Sequence, residues 1–225
     1  MPTINYIGTI SDNGIKYGIT DTNTLIIECV SLTHDRHIVI PEQVGGMPVV
    51  GVSSAAFQNS QELRSISLPA TVTEIGSCAF CRCTNLKNVK FAAPEVALGN
   101  HAFADCGNLE LVDGVTITTR SGSAFQRCYK LRKISATFTG NIYAKTFGNC
   151  SELKELSFKN AHLHGDVFSC CRNLETLYFD EDAIIPDYML PYIAQWKIVC
   201  SATSSIADLV YGGVSVTIKD DKSFT

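Results

Sequence analysis

This sequence lacks most of what would announce a chemistry. It contains no G-x-S-x-G, no P-loop, no H-E-x-x-H and no G-x-G-x-x-G. The nucleophile-elbow, phosphate-cradle, zinc-peptidase and dinucleotide signatures are therefore not written in it. No apolar run approaches the roughly 18 residues that cross a bilayer as a helix. The opening stretch MPTINYIGTISDNGIKYGIT has no basic start followed by an apolar segment, which predicts either a cytosolic chain or a trimmed mature one. Charge is sparse as well. Only 18% of residues are charged and the net charge is −4, so there is no general pull toward nucleic acid or anionic membrane. No Pro/Ser/Gly-rich linker divides the chain, which predicts one structural domain.

What is present is apolar bulk and thiol. The 225 residues are 45% hydrophobic and include ten cysteines, a composition that folds around a large core without disulfide staples. Three cysteines crowd into IGSCAFCRCTNLKNVKF (Ile75–Phe91), at Cys78, Cys81 and Cys83. A zinc site or a disulfide would suit such a cluster, but no second C-x2-C or His pair stands at a suitable spacing.

Their placement has a different origin. Phe57, Phe80, Phe103, Phe125, Phe147 and Phe168 recur at gaps of 23, 23, 22, 22 and 21. Six residues after each stands a leucine (Leu63, Leu86, Leu109, Leu131, Leu153, Leu174), and nine residues after each an apolar residue (Ile66, Val89, Val112, Ile134, Leu156, Leu177). The third residue after each is Ser60, Cys83, Cys106, Cys128, Cys150 or Cys171. Half of the cysteines thus fill one column of a repeat, where a small apolar side chain facing a narrow interior is expected. Cys78 and Cys81 fall beside that column, on a turn expected to be exposed. All ten thiols are expected to be free.

The unit reads A-F-x-x-C-x-x-L-x-x-I-x-L-P-x-x-V-x-x-I-G, best seen in AFQNSQELRSISLPATVTEIGSC. Its L-x-x-I-x-L segment alternates like a half-buried strand. Pro69 ends that strand, Val72 and Ile75 point inward from a second short one, and Gly76 is read as permitting a turn. The Ala-Phe segment returns as a turn or short helix. One unit cannot bury its own apolar face, whereas stacked units share a continuous core.

The pattern in AFQNSQELRSISLPATVTEIGSCAFCRCTNLKNVKF (Ala56–Phe91), led in by IVIPEQVGGMPVVGVSSAAF (Ile38–Phe57), resembles the BspA-like, or Treponema pallidum type, leucine-rich repeats. The resemblance covers about 38–180. It implies a mostly β leucine-rich-repeat solenoid of about six repeats of 21–23 residues, with short turns or helices on the outer side and caps at both ends. Residues 1–37 are expected to form an N-terminal cap with a hairpin around Asp21–Thr24. Residues 181–225 are expected to form a C-terminal cap, with a short helix in SSIADLVYGG and a final strand in VSVTIKD; after Phe179 the repeat register stops. The later units depart from the pattern: LELVDGVTITTRSG lacks the proline, LRKISATFTGNIYAK the Ile-Gly pair.

The resemblance also implies a noncatalytic adhesion or protein-interaction module, at the cell surface or secreted, without a cofactor, binding a host or matrix protein or a glycan. A structural scaffold within a larger assembly is the alternative, and the unpaired thiols and absent signal favour the cytoplasm instead. The candidate partner-binding residues are those expected on the concave strand face, eight and ten residues after each Phe. They are Ser65/Ser67, Asn88/Lys90, Leu111/Asp113, Lys133/Ser135, Glu155/Ser157 and Thr176/Tyr178. The seventh residues, Arg64, Lys87, Glu110, Arg132, Lys154 and Glu175, make the surface mixed and mildly basic. His162 and His164, the acidic Asp180–Ala183 and the sequon at Asn149–Ser151 are read as surface histidines, a solvated edge and a coincidence of the repeat.

Overall fold

The structure, a computed structural model, describes residues 6–30, 37–119, 122–180, 183–189, 193, 195–201 and 216–219. It opens with three antiparallel strands, β1 (Tyr6–Asp12), β2 (Ile15–Thr20) and β3 (Leu25–Val30). Asn13 and Gly14 both hold positive φ between β1 and β2, the conformation a two-residue hairpin loop needs. The second turn, at Asp21–Thr24, is fixed by Thr20, whose carbonyl accepts from the Asn23 N–H at 3.1 Å.

The chain then winds into parallel turns with two strand ladders. The first ladder runs from β4 (His37–Val39) through β7 (Ser65–Leu68) and β9 (Asn88–Phe91) to the leading halves of β11 (Leu111–Thr119) and β12 (Lys133–Ile142). It continues through β13 (Glu155–Leu163), β14 (Thr176–Phe179), β15 (Lys197–Ser201) and β16 (Val216–Lys219). The second ladder starts on β3 and runs through β6 (Met47–Val52), β8 (Glu74–Ile75) and β10 (Glu95–Leu98) to the trailing halves of β11, β12 and β13. A two-stranded piece, β5 (Gln43–Val44), pairs antiparallel with β6. Pro69 and Pro94 separate the two strands of their turns. Where the proline is missing the strand runs on, bending at Gly114, Gly140 and Asn160, all at positive φ.

The solenoid expectation holds, as a mostly β stack with almost no helix. Among the described residues a short 3-10 turn spans Asp187–Met189. The register, however, does not stop at Phe179. Thr176 pairs with Lys197 and Ile198 with Val216, so the strands keep stacking after the phenylalanine column ends. The expected helix in SSIADLVYGG lies outside the described residues.

The third side of each turn carries the Ala-Phe segment. Here the N–H groups of Phe57, Phe80, Phe103 and Phe125 donate to carbonyls of the next turn, each at 2.8 Å. Flanking donors two residues away do the same: Cys78 to Asn100 and Arg82 to Ala104, both at 2.8 Å. The corner is thus a third hydrogen-bonded ladder, built from turns. To point every second N–H along the stack, the residues two before and two after each Phe from Phe57 to Phe147 take left-handed φ, as at Ala55/Asn59, Cys78/Arg82 and Lys145/Asn149. That conformation strains most side chains and is best tolerated by Gly, Asn and Asp. Inside, the phenylalanines stack ring on ring at centroid distances from 4.8 to 6.1 Å.

Gly76 has a different task from the one expected. Its φ is not left-handed; the residue is small because two backbones meet there. A Cβ on Gly76 would lie 2.4 Å from the Ser54 nitrogen, and one on Gly99 would lie 2.6 Å from that of Ser77. Gly99→Ala is expected to cost about 2–3 kcal/mol through this backbone clash, read as a lowered urea midpoint. An unchanged midpoint would show that the two turns separate freely.

Candidate functional site

The corner gives the cysteine column its geometry. Each column thiol reaches back one turn and donates to a phenylalanine carbonyl: Cys83 to Phe57 at 3.0 Å, Cys106 to Phe80 at 3.0 Å, Cys128 to Phe103 at 3.2 Å, Cys150 to Phe125 at 3.1 Å and Cys171 to Phe147 at 2.9 Å. The column therefore selects a weak donor as well as a small volume. All five are buried, and all ten cysteines are free. Burial pushes the thiols of Cys106, Cys128 and Cys150 well up, and that of Cys171 up to about 12. A buried thiol that holds its proton is a poor nucleophile.

Cys81, expected to be exposed, is 6% exposed, and burial beside Cys78 raises its thiol to about 11. Cys78 is half-buried and occupies a left-handed corner position with φ 55°. Both belong to the corner ladder. Cys170, with φ 59°, is exposed at the equivalent place past the last phenylalanine. Asn149 is a third corner residue, at φ 63°, so its asparagine is explained by backbone conformation. Among the described residues no group of three or more His, Cys, Asp and Glu side chains is placed to hold a metal ion. His164 instead hydrogen-bonds Asn141 at 2.7 Å and stacks on Tyr143 at 5.5 Å.

The expected partner-binding residues fall on the outward side of the first ladder, but not in one unbroken register. Ser65, Asn88 and Leu111 stand side by side, as do Ser67, Lys90 and Asp113. Lys133 and Ser135 continue both rows. Then the rows slip by two residues. Ser157 stands opposite Thr137 and not Ser135, with Phe158 opposite Phe138. The strand of that unit carries two additional residues before its bend, a shift invisible in the phenylalanine spacing. Beyond the slip, Glu155 pairs with Thr176 and Ser157 with Tyr178. The rows extend past both predicted ends: His37 sits beside Ser65, its Nδ1 2.7 Å from the hydroxyl, and Lys197 sits beside Thr176.

Asn88, Lys90, Lys133 and Glu155 are exposed, whereas the serines, Leu111, Asp113, Thr176 and Tyr178 are half-buried among their neighbours. Tyr178 donates to Glu155 at 3.5 Å, and burial, then that carboxylate, raises its phenol. The flanking charges largely pair along the stack: Lys87 with Glu110 at 3.7 Å, Lys154 with Glu175 at 3.9 Å and Arg132 with Glu152 at 2.5 Å. These contacts are exposed and contribute little stability. They cancel most of the basic character expected of the row. Lys90 and Lys133 make no ion pair among the described residues.

A side-chain row the repeat pattern did not single out runs along the neighbouring edge. Asn85 donates to the Gln61 carbonyl at 2.8 Å and Asn108 to the Thr84 carbonyl at 2.7 Å. The signal was present, since Asn85, Asn108 and Asn173 all stand five residues after a Phe.

A family model described as a BspA type leucine-rich repeat region matches residues 50–175 in six copies. A crystal structure of a leucine-rich repeat protein from T. pallidum is similar at 23% identity and a TM-score of 0.58, covering 83% of this chain and 94% of that one. A leucine-rich repeat protein from Bacteroides ovatus is similar at 21% identity and a TM-score of 0.51, covering 87% of this chain and 62% of that one. These two likenesses concern the fold. No curated protein matches the chain.

Proposed function

Because this chain belongs to the BspA-type leucine-rich repeat family, we propose that it is a noncatalytic binding module whose ligand-contacting surface is the outward side of the first ladder. Membership itself points to a protein-interaction or scaffold role. The observation that supports the finer reading is the run of polar side chains along that ladder, from His37 to Lys197, on backbone locked by parallel pairing. Rigid backbone presents side chains at fixed spacing, so a partner meets a surface that loses little entropy on binding. Lys90 and Lys133, which make no ion pair among the described residues, offer positive charge, and Tyr178 an aromatic surface, the residue type that dominates interface energies. The partner we propose is a protein or glycan with an acidic or hydroxyl-rich face, encountered at the cell surface. Residues 1–37 and 181–225 are proposed to close the two ends of the stack.

A screen against extracellular matrix proteins and glycans identifies the partner. Tyr178→Ala is then expected to weaken it by about 2 kcal/mol, and Lys90→Ala and Lys133→Ala to slow association at low salt. A partner whose affinity ignores all three changes binds elsewhere, and the ladder reading fails. A scaffold role predicts instead that no soluble partner is captured.

A further inference from the structure

The corner ladder ends abruptly. In the turns before it, the corner N–H groups find acceptors one turn on, down to Lys145, Phe147 and Asn149, which donate to Asp166, Val167 and Ser169 at 2.6, 3.1 and 2.7 Å. At the next corner the pattern has no continuation. The N–H groups of Asp166, Phe168 and Cys170 have no acceptor among the described residues. The chain that follows packs differently: the 3-10 turn Asp187–Met189 replaces the corner, and the Tyr188 hydroxyl accepts from the Gly165 N–H at 2.8 Å. Between the two segments lies a cavity of about 530 Å³, lined by Phe168, Met189, Ile193 and Trp196, with Cys170 and Arg172 also on its wall. Trp196 closes edge-on against Phe168 at 5.3 Å. An apolar cavity of this size beside orphaned donors is the profile of a ligand site.

We infer that this cavity is a peptide-docking site, distinct from the first-ladder surface, for an extended partner segment carrying one phenylalanine or leucine. The argument is continuity with the stack. Each earlier corner offers three N–H groups at alternate residues, and those from Phe57 to Phe125 are each covered by a segment that presents carbonyls at alternate residues with a phenylalanine between. The last corner keeps the Phe168 and Cys170 donors of that pattern, its left-handed first position having moved to Gly165, and beside Trp196, whose ring already caps Phe168, it has an apolar chamber for one further side chain. A partner segment adding itself here repeats the pairing by which sheet edges take up extended peptides. Its carbonyls satisfy Asp166, Phe168 and Cys170, and its apolar side chain enters among Met189, Ile193 and Trp196.

The probe is the acetylated, amidated hexapeptide NHAFAD, the sequence of Asn100–Asp105, whose Asn100, Ala102 and Ala104 carbonyls accept the preceding corner in the intact stack. Titration into the full chain is expected to give a dissociation constant between about 10 μM and 1 mM, a weak but specific contact. Replacing its phenylalanine with alanine is expected to weaken binding at least about tenfold. Hydrogen exchange is expected to slow at Asp166, Phe168 and Cys170 and not at exposed amides elsewhere. Asp166→Pro deletes one donor while leaving the Asp166 carbonyl that Lys145 uses, and is expected to weaken the peptide about fivefold. Labelling Cys170 with a bulky maleimide, in a chain whose Cys29 is replaced by serine, is expected to abolish binding, a readout that holds even if the proline variant does not fold. Binding that leaves the three amides exchanging freely, or survives the label, overturns the proposal. So does protection of those amides in the dilute free chain, where the chain's own segment would be the occupant, or protection that grows with protein concentration alone, where a second copy would be.

Discussion

Between pH 9 and pH 10, under reducing conditions, the chain is expected to lose about 5 kcal/mol of folding stability. Four thiols set this figure: Cys106, Cys128, Cys150 and Cys171, each buried in the corner and each raised by that burial. An unfolded thiol ionises near pH 8.5, whereas these four keep their protons far above it. In that window the unfolded state therefore binds fewer protons than the folded one, and stability falls as pH rises. The contribution is fully present below the unfolded thiol range and is lost on the way up to the folded one. Each group contributes about 1.4 kcal/mol per pH unit, and the four together are comparable to the whole stability of an ordinary domain. Urea titrations at pH 8, 9, 9.5 and 10 measure the slope. Cys128→Ala should make it shallower by about 1.4 kcal/mol per pH unit, whatever it does to stability at neutral pH. A slope near zero would mean that the thiols ionise in place, and the account of a closed column would fail.

Phe103→Ala is expected to destabilise the chain by about 3–5 kcal/mol and to lower the melting temperature by about 10 °C. The ring is fully buried, stacked 4.9 Å from Phe80 and 5.4 Å from Phe125, and meets Phe91 edge-on at 6.3 Å. Removing it opens a cavity in the middle of the column and strips a partner from three rings, each such pair contributing about 0.5–1.5 kcal/mol beyond its area. The turns on either side then lose part of the face on which they depend, because repeats are stabilised by their neighbours. Tyr129, 47% exposed on the next turn, provides the control. Tyr129→Ala is expected to change stability by less than about 0.5 kcal/mol. Equal losses at the two positions would show that the column is not what holds the turns together.

The regular spacing of Phe57 to Phe168 made the solenoid legible, because a core shared between stacked units forces one column of large side chains and one of small. The same spacing concealed the two-residue slip between β12 and β13. Phe125 and Phe147 stay 22 residues apart whether additional residues enter the strand or leave the return, so Ser157 came to face Thr137. The continuation into β15 was hidden because strand pairing needs only backbone, and Met189 and Trp196 replace the phenylalanine that marked earlier turns. Cys78 and Cys81 were opaque for another reason. Their positions answer to φ and to burial behind the corner, and neither quantity is visible in residue type when arginine, histidine and lysine occupy equivalent left-handed sites. The first-ladder residues were identifiable individually as outward-facing. What alternation alone could not reveal was how their charges pair along the stack, as Lys87 does with Glu110.

The three hydrogen-bonded sides also decide how the molecule yields to force. Tension applied along the stack acts along the inter-turn bonds and loads them in series, so the weakest contact breaks while the rest hold. A turn that peels away releases roughly 22 residues, or about 75 Å of slack at full extension. A tether built this way would lengthen in discrete steps and take up the strain of a tugging attachment, leaving the turns that still stand folded and in register.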